Sequence, residues 1–356
     1  MLLSFLLFYL LAVWSIEQKM GNQRQLLMIA CIAFTFIIGS RNPMIWDDTE
    51  VYVLSYQLSP NIFHYYGGSP QGFSEPGVYF IGTLLKVFNA DYVVYLTAIA
   101  GIAMALIYRS FKTLCLLPVF GFCDYIARFM MNRDFMQIRS SICILIIMCA
   151  LPLIKKKKFA FFMIVVLIAY FFHHMALIAL PFYFFNKIHF KKYQIYLLLA
   201  IAFLFAIFGS DIISEWAVAN SDDLQYTTYV TDEYRHSSIE EGLKNPMIYV
   251  QLFILLMFVS MEKRLKHYPY YYLLKNGYFY ASLIMIVFSQ FTALSMRTSA
   301  MFSTLECFII PMMYLGMKRG YRGLFCVAYG VVLLGAFYLK FFVLYHARNP
   351  NATLLW

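Results

Sequence analysis

The chain has 356 residues, of which 62% are hydrophobic and 13% are charged, and its mean hydropathy is +0.69. Soluble domains carry roughly 45–50% apolar and about 25% charged residues, so this composition excludes a cytoplasmic globular enzyme, a disordered chain and a disulfide-stapled secreted module. The net charge of +10 is distributed as short basic clusters between apolar runs. Such clusters are topology signals and do not indicate a nucleic-acid partner. A single transmembrane domain over residues 1–356 is predicted.

Twelve apolar runs could cross a hydrocarbon core of about 30 Å. They lie at about 1–16, 26–40, 92–108, 113–131, 137–154, 159–173, 175–186, 194–209, 246–261, 277–295, 299–317 and 323–345. We therefore predict an all-α polytopic membrane protein with about 12 transmembrane helices.

The basic clusters set the orientation, because Lys and Arg concentrate in cytoplasmic loops. They lie at 19–24, 109–112, 155–158, 187–192, 263–275 and 318–322. With all six clusters in the cytoplasm, residues 41–75 are external, and an odd number of spans must separate them from the cluster at 109–112. Two apolar runs lie in between, 76–88 and 92–108, so the shorter run, 76–88, does not cross. That run is short, so it predicts a re-entrant or interfacial helix. Two long external loops follow, at 41–75 and 210–245, and both termini lie outside.

The two external loops mix acids with Tyr, Trp, Asn and Gln. Flat aromatic faces with polar rims are typical of sugar-binding surfaces, although an ordinary solvated loop has a similar composition. In the first loop, Asp47, Asp48 and Glu75 are candidate bases for removing a proton from a sugar hydroxyl.

Basic residues on the outer side are mostly arginine. They are Arg41, Arg128, Arg133, Arg139, Arg235, Arg297 and Arg348. Topology requires only positive charge, whereas a planar guanidinium grips a phosphate with two parallel N–H groups. This preference for arginine predicts an external phosphate site.

The segment RFMMNRDFMQIR holds three of these arginines, and Arg139 begins the next apolar run. A helix N-terminus there would add partial positive charge to a pyrophosphate clamp. Arg128 and Arg133 are weaker candidates. The alternative is interfacial snorkelling with local ion pairs to Asp124 or Asp134.

Two histidines, His173 and His174, stand between the short runs 159–173 and 175–186. A histidine at that outer turn could exchange a proton near neutral pH, or it could be a satisfied packing residue. Consecutive histidines point apart and have no accompanying ligand set, so metal binding is not expected.

Arg297 lies between two late apolar runs, in SMRTSAMF. It is a candidate second phosphate ligand that would meet Arg139 across the bundle, or a simple helix cap. Glu306 is a candidate internal partner or polar brace. The chain has no P-loop, GxGxxG or GxSxG motif, so nucleotide chemistry has no support.

These motifs together resemble the EpsG-type branch of the Wzy-like bacterial polysaccharide polymerases. The resemblance rests on Asp48 to Tyr52, on Glu75-Pro76-Gly77, on QIRSSICILI with Arg139, on FFHHMALIALP and on SMRTSAMF with Arg297. The doubled histidine departs from the family pattern, so either His173 or His174 could take the role.

The resemblance implies a membrane glycosyltransferase of GT-C-like architecture in the bacterial cytoplasmic membrane, with its active site facing the periplasm or outside. Such enzymes join oligosaccharide repeat units carried on undecaprenyl pyrophosphate, which is both donor and acceptor carrier, and release undecaprenyl pyrophosphate. They need no nucleotide sugar, cofactor or obligatory metal, and a chain-length regulator is a possible partner.

On the basis of this resemblance, Arg139 and Arg297 would bind pyrophosphate, with Arg128 and Arg133 as weaker candidates. His173 or His174 would activate the acceptor or contact pyrophosphate, and Asp48 and Glu75 are further candidate bases.

Two alternatives stay open. A flippase or exporter of the lipid-linked oligosaccharide would need a polar path through the membrane, whereas the polar residues here collect on the outer side. An O-antigen ligase-type transferase would share the arginine clamp and differ in its acceptor loop.

Overall fold

The computed structural model describes residues 2–46, 48–65, 75–209 and 242–344, and regular structure in them is helical throughout. The first half of the chain forms α1 (Leu2–Ser15), α2 (Met20–Gly39), α3 (Thr49–Leu58), α4 (Gly77–Lys86), α5 (Tyr92–Leu114), α6 (Pro118–Tyr125), a π-helical segment (Ile126–Met136), α7 (Ile138–Lys155) and α8 (Phe159–Phe172). The remainder forms a 3-10 segment (His174–Ile178), α9 (Ala179–Phe185), α10 (Lys192–Phe208), α11 (Pro246–Ser260), α12 (Glu262–Leu265), α13 (Tyr271–Val287), α14 (Thr292–Ser303), α15 (Glu306–Gly316), α16 (Arg319–Tyr338) and a π-helical turn (Leu339–Leu344).

Among the described residues, four helices are long and apolar enough to span a membrane. They are α2, α5, α7 and α16 with the start of its π-helical extension. A fifth span arises if α14 and α15, which are bent by 46° at a short break, cross together. Several shorter apolar helices of 10–17 residues accompany them. The chain is therefore a multi-pass membrane protein, and the count of about twelve spans stays a prediction.

The described residues as far as Leu177, together with those from Ile310 onward, form one compact unit. In it, α2 packs along α5, and α7 packs against both α5 and α8. Gly39 at the end of α2 allows a close approach to α5, because a Cβ there would lie 2.3 Å from Thr97 Oγ1. At the opposite end, Arg24 Nη2 donates to the Lys112 carbonyl at 3.5 Å. Helices α2 and α5 are thus antiparallel.

Helix α7 runs parallel to α5: Cys149 Sγ in its C-terminal half lies 3.4 Å from the Leu106 carbonyl, and Tyr52, which accepts from Arg139 at the start of α7, interacts electrostatically with Tyr95 at the start of α5. The first unit therefore has two chemically different ends. We call them the arginine end, with Arg41, Tyr95 and Arg139, and the lysine end, with Arg24, Lys112 and the exposed Lys155 to Lys158. About sixteen residues at 1.5 Å rise separate them along α7, which is about 24 Å.

The described residues between Ile178 and Ile309 form the second unit, in which α13 packs against α10, α11 and α14. Lys275 on α13 is buried, donates to the Phe190 carbonyl at 3.0 Å and lies 3.4 Å from Glu262 Oε2. Tyr278 donates to Glu306 Oε2 at 2.8 Å. These two buried charged residues, Lys275 and Glu306, thus have partners within the described part of this unit.

The structure differs from the sequence expectation in three places. The predicted external loop 41–75 contains a helix, α3. The predicted span 113–131 is broken at residues 115–117, and its helix continues through the π-helical segment to Met136. Arg297 lies inside α14 and not between two helices. The short run 76–88 does form a ten-residue helix, α4. Its re-entrant or interfacial placement, the GT-C-like architecture and the single-domain organisation stay predictions.

Candidate functional site

Arg139 is the second residue of α7, and Asp134 fixes where that helix begins. The buried Asp134 carboxylate accepts from Ser141 Oγ at 2.6 Å through Oδ1 and from Tyr125 at 2.8 Å through Oδ2. Because Ser141 belongs to the first turn of α7, these bonds tie the end of the π-helical segment to the start of α7. Segments of π-helix occur frequently at functional sites. Arg139 is thereby presented at the arginine end.

The motif Glu75-Pro76-Gly77 brings a carboxylate to the same place. A Cβ at Gly77 would lie 2.8 Å from both the Phe171 carbonyl oxygen and Phe172 Cδ1. Only glycine therefore lets the first turn of α4 pack directly on the end of α8. The residue before a proline is held away from helical geometry, so Glu75 precedes the helix. It consequently lies beside the histidines that follow α8.

Glu75 is the centre of a charged cluster. Its Oε2 lies 2.5 Å from Arg139 Nη1, and its Oε1 lies 3.8 Å from His173 Nδ1 and 4.0 Å from His174 Nδ1. Glu75 is 7% exposed, while the side chains of Arg139, His173 and His174 are 17%, 25% and 29% exposed. A buried carboxylate is thus joined to partly open groups that a substrate can reach. We call these four residues, with Tyr52, the Glu75 cluster.

Tyr52 completes the cluster from α3. Thr49 Oγ1 donates to the Phe135 carbonyl at 2.7 Å, which fixes the start of α3 beside the π-helical segment. One turn later, the Tyr52 hydroxyl accepts from Arg139 Nε at 3.4 Å. Burial raises the pKa of the Tyr52 hydroxyl above its usual value, and the neighbouring Arg139 opposes that shift. Tyr52 is therefore a neutral hydroxyl that helps to orient the guanidinium.

The hydrogen bonding of His173 defines its tautomer. The Met175 N–H donates to His173 Nδ1 at 3.2 Å, so Nδ1 is the acceptor and a neutral ring carries its proton on Nε2. In that state His173 is a hydrogen-bond donor through Nε2. The ring of His174 instead stacks on Tyr170, with centroids 4.6 Å apart.

The structure brings together four of the residues that the sequence singled out: Glu75, Arg139, His173 and His174. Asp48 lies nearby as the residue that precedes α3. Its φ is +62°, and its charge acts electrostatically on Tyr52.

The remaining candidate arginines lie elsewhere. Arg133 is buried and stacks over the Phe129 ring at 4.4 Å. Arg128 is half-buried, and its carbonyl accepts from Lys340 Nζ. Arg297 is exposed on α14 in the second unit. Its pairing with Arg139 stays a prediction. Asp47, Arg235 and Arg348, and most of the predicted loop 210–245, lie outside the described residues.

Sequence reasoning missed Tyr52 as an individual site residue and placed Arg41 only among the outer arginines. Arg41 interacts electrostatically with Tyr52, Tyr95 and Asp134. One signal for it was available, because an arginine directly after a predicted span on the outer side serves no topological purpose. Tyr52 has no comparable signal, since the chain holds 29 tyrosines.

The cluster has the groups for two chemical tasks. A carboxylate and an imidazole can move a proton, and a fixed guanidinium can stabilise developing negative charge in a low-dielectric site. Within the described residues, no three His, Cys, Asp or Glu side chains group in a way that would hold a metal ion.

Comparison with known proteins supplies one match. The model of the EpsG family matches residues 24–353, which is nearly the whole chain. No curated protein and no solved structure matches. The matched region contains Glu75, Arg139, His173 and His174. The chain therefore belongs to the EpsG family, and this membership indicates a membrane-embedded, polysaccharide polymerase-type glycosyltransferase.

Proposed function

We propose that the protein joins oligosaccharide repeat units carried on undecaprenyl pyrophosphate at the outer face of the cytoplasmic membrane. The growing chain passes from its carrier to the non-reducing end of a new lipid-linked unit, and undecaprenyl pyrophosphate leaves. The observation that carries this proposal is the Glu75 cluster, in which a carboxylate, a guanidinium and two imidazoles meet at one end of a membrane unit.

Each group has a role in that transfer. The acceptor hydroxyl attacks the anomeric carbon of the donor, a new C–O bond forms, and its proton passes to Oε1 of Glu75. The C–O bond to the pyrophosphate breaks, and the pyrophosphate departs with the bonding electrons. Arg139 stabilises the charge that develops on it, as an oxyanion hole does in acyl transfer. His173, through Nε2–H, donates to the same phosphate oxygens, with His174 as the second candidate.

The two ends of the first unit support the orientation. Lysines concentrate on the cytoplasmic side of membrane proteins, and Lys112 and Lys155 to Lys158 lie at the end opposite Arg139. With the lysine end inside, the Glu75 cluster faces the periplasm or outside. Lipid-linked donors are available there without nucleotide sugars, which suits a chain with no nucleotide-binding motif.

The other predicted residues have supporting roles. Arg297 would be a second pyrophosphate ligand, and Arg128 and Arg133 would add positive potential. Asp48 is an alternative base. The tyrosine-rich external loops would hold the saccharide, and a chain-length regulator is a candidate protein partner.

Deletion of the gene, with analysis of surface glycan on a gel, tests the reaction class. Loss of a polymerase leaves single repeat units, loss of a flippase leaves none outside, and loss of a ligase leaves long chains on the carrier. Arg139→Ala and Arg297→Ala should each reproduce the polymerase pattern with normal protein levels. Arg297→Lys should also fail, because lysine lacks the bidentate fork. Long carrier-bound chains in the deletion strain would refute the proposal.

A further inference from the structure

Arg41 is a buried cation with unused donors. It follows the end of α2, is 2% exposed and donates from Nη1 to the Ile38 carbonyl at 2.7 Å. Among the described residues, its Nε and Nη2 have no hydrogen-bond partner. Leaving a buried donor unsatisfied destabilises the fold, and more so for a charged group. A guanidinium in this position therefore indicates a partner that binds there.

The two unused nitrogens belong to one edge of the guanidinium. Nε and Nη2 present parallel N–H groups on the same side, which is the fork that grips two oxygens of a phosphate or carboxylate. Nη1, the third nitrogen, is the one that holds the side chain to the Ile38 carbonyl. Arg41 is thus anchored through one nitrogen, and its bidentate edge is buried without a hydrogen-bond partner among the described residues.

The surroundings of Arg41 join it to the Glu75 cluster. Arg41 interacts electrostatically with Tyr52, which accepts from Arg139, and with Tyr95 and Asp134. Tyr95 is fully buried, and within the described part of the chain its hydroxyl also has no partner. Three donor groups on two residues are therefore unsatisfied in the described part of the chain, and both residues interact electrostatically with Tyr52, which accepts from Arg139.

An apolar cavity of about 320 Å³ lies in the same unit, and two of its lining residues are next in the chain to residues that interact with Arg41. Its lining includes Ile37, next to the Ile38 that anchors Arg41, and Phe135, next to Asp134. The remaining lining is mostly phenylalanine, with Phe5, Phe8, Phe337 and Phe341 among it. Its volume is at the lower end of the roughly 300–1,000 Å³ of small-molecule sites. An apolar cavity and a fork of N–H donors within one unit match an amphiphile with a phosphate head and a hydrocarbon chain.

We propose that Arg41, with the Tyr95 hydroxyl, binds phosphate oxygens of a prenyl-linked phosphate whose first isoprene units occupy the apolar cavity. This inference rests on the proposed function, because the ligand is the lipid carrier of that reaction. It assigns the phosphate and the first isoprene units of the carrier to residues of the first compact unit. Arg139 then acts on the breaking bond, while Arg41 holds the carrier. Because Arg41 and not Arg139 binds the carrier in this proposal, the Glu75 carboxylate can stay paired with Arg139 until the substrate arrives.

Binding to the purified full-length protein tests the inference without turnover. The probes are farnesyl pyrophosphate and inorganic pyrophosphate, measured by calorimetry in detergent. Arg41→Lys keeps the charge but removes the fork, so it should weaken farnesyl pyrophosphate binding about tenfold or more. Tyr95→Phe, which removes one hydroxyl, should weaken it less. Arg109→Lys, at an exposed position at the lysine end, is the matched control and should bind as wild type.

A second variant distinguishes the source of the phosphate. Ile37→Trp narrows the cavity and should weaken farnesyl pyrophosphate while leaving inorganic pyrophosphate unchanged. Equal affinity of the wild type for both probes would assign the site to a free phosphate and refute the lipid assignment. Wild-type affinity in both Arg41→Lys and Tyr95→Phe would overturn the whole inference. The glycan gel would still test the polymerase reaction, because it does not depend on this binding measurement.

Discussion

Glu75 and Arg139 stand 64 positions apart in the chain, yet Glu75 Oε2 lies 2.5 Å from Arg139 Nη1. The pair joins the start of α4 to the start of α7, and the other carboxylate oxygen faces His173 and His174. One carboxylate oxygen thus pairs with the guanidinium assigned to the leaving pyrophosphate, and the other, assigned as the base, faces the two imidazoles. These assignments can be tested by substitutions that keep the size of a side chain and remove its charge or its hydrogen-bond donor.

Glu75→Gln should abolish polymer formation while the protein accumulates normally. The amide keeps the size of the side chain and can still accept a hydrogen bond, but it cannot take a proton. Loss of a general base typically costs about 10²–10⁴ in rate. The measurement is glycan chain length in the complemented deletion strain. Glu50→Gln, an exposed carboxylate on α3, should behave as wild type. Full-length glycan with Glu75→Gln would exclude Glu75 as the base.

Gly77→Ala should impair both stability and activity. The added Cβ would meet the Phe171 carbonyl oxygen and the Phe172 ring at 2.8 Å, and the backbone partner cannot rotate away. Such overpacking costs about 1–3 kcal/mol and would move Glu75 away from His173. A lower melting temperature of the detergent-purified protein is the readout.

The matched control for Gly77→Ala is Gly335→Ala in α16, where a Cβ meets nothing within 4 Å. Alanine has the higher helix propensity, so this variant should melt at or slightly above the wild-type temperature. If Gly77→Ala and Gly335→Ala behave alike, the close packing of α4 on α8 does not position Glu75.

His173→Asn should lower activity without unfolding the protein. The asparagine side-chain oxygen can replace Nδ1 as the acceptor for the Met175 N–H, while the Nε2–H donor is lost. His173→Gln, whose longer side chain reaches the Nε2 position, should retain more activity. Glycan chain length and the melting temperature are measured together. An active His173→Asn variant would show that the imidazole only supports the local turn.

Much of this arrangement follows from the sequence, and the reasons are local. Arg139 at a helix start, a short helix after Glu75-Pro76-Gly77 and a turn at His173 were all predicted, because Pro, Gly and the onset of apolar runs mark element boundaries directly. The family assignment was also confirmed. These features depend on residues within one or two turns of the chain.

The parts that were missed depend on distant contacts. Helix α3 lies in a stretch predicted as a loop, and it is held by Thr49 at a carbonyl 86 positions away. The electrostatic partners of Arg41 include Asp134 and Tyr95, which come from two other helical elements. Single-sequence periodicity carries no information on such pairings. Arg297 was placed between two apolar runs because polar residues interrupt the hydrophobic pattern there, whereas the helix α14 continues through it.

The membrane orientation can be tested by labelling cysteines introduced at the two ends of the first unit. In a cysteine-free background, Phe63→Cys should react with a membrane-impermeant maleimide in intact spheroplasts, because Phe63 is 80% exposed and precedes the Glu75 cluster. Lys157→Cys, at the exposed lysine end, should react only after permeabilisation. The reverse pattern would place the cluster in the cytoplasm and exclude an external polymerase.

Reconstituted polymerisation tests the central claim most directly. The wild-type protein in liposomes is supplied with lipid-linked repeat units extracted from the deletion strain, with no nucleotide sugar. Longer glycans should form with one undecaprenyl pyrophosphate released per bond, and Arg139→Lys should slow the reaction by about 10²-fold or more, the loss typical of removing one oxyanion donor. Absence of elongation by the wild type, or an unchanged rate with Arg139→Lys, would contradict the account.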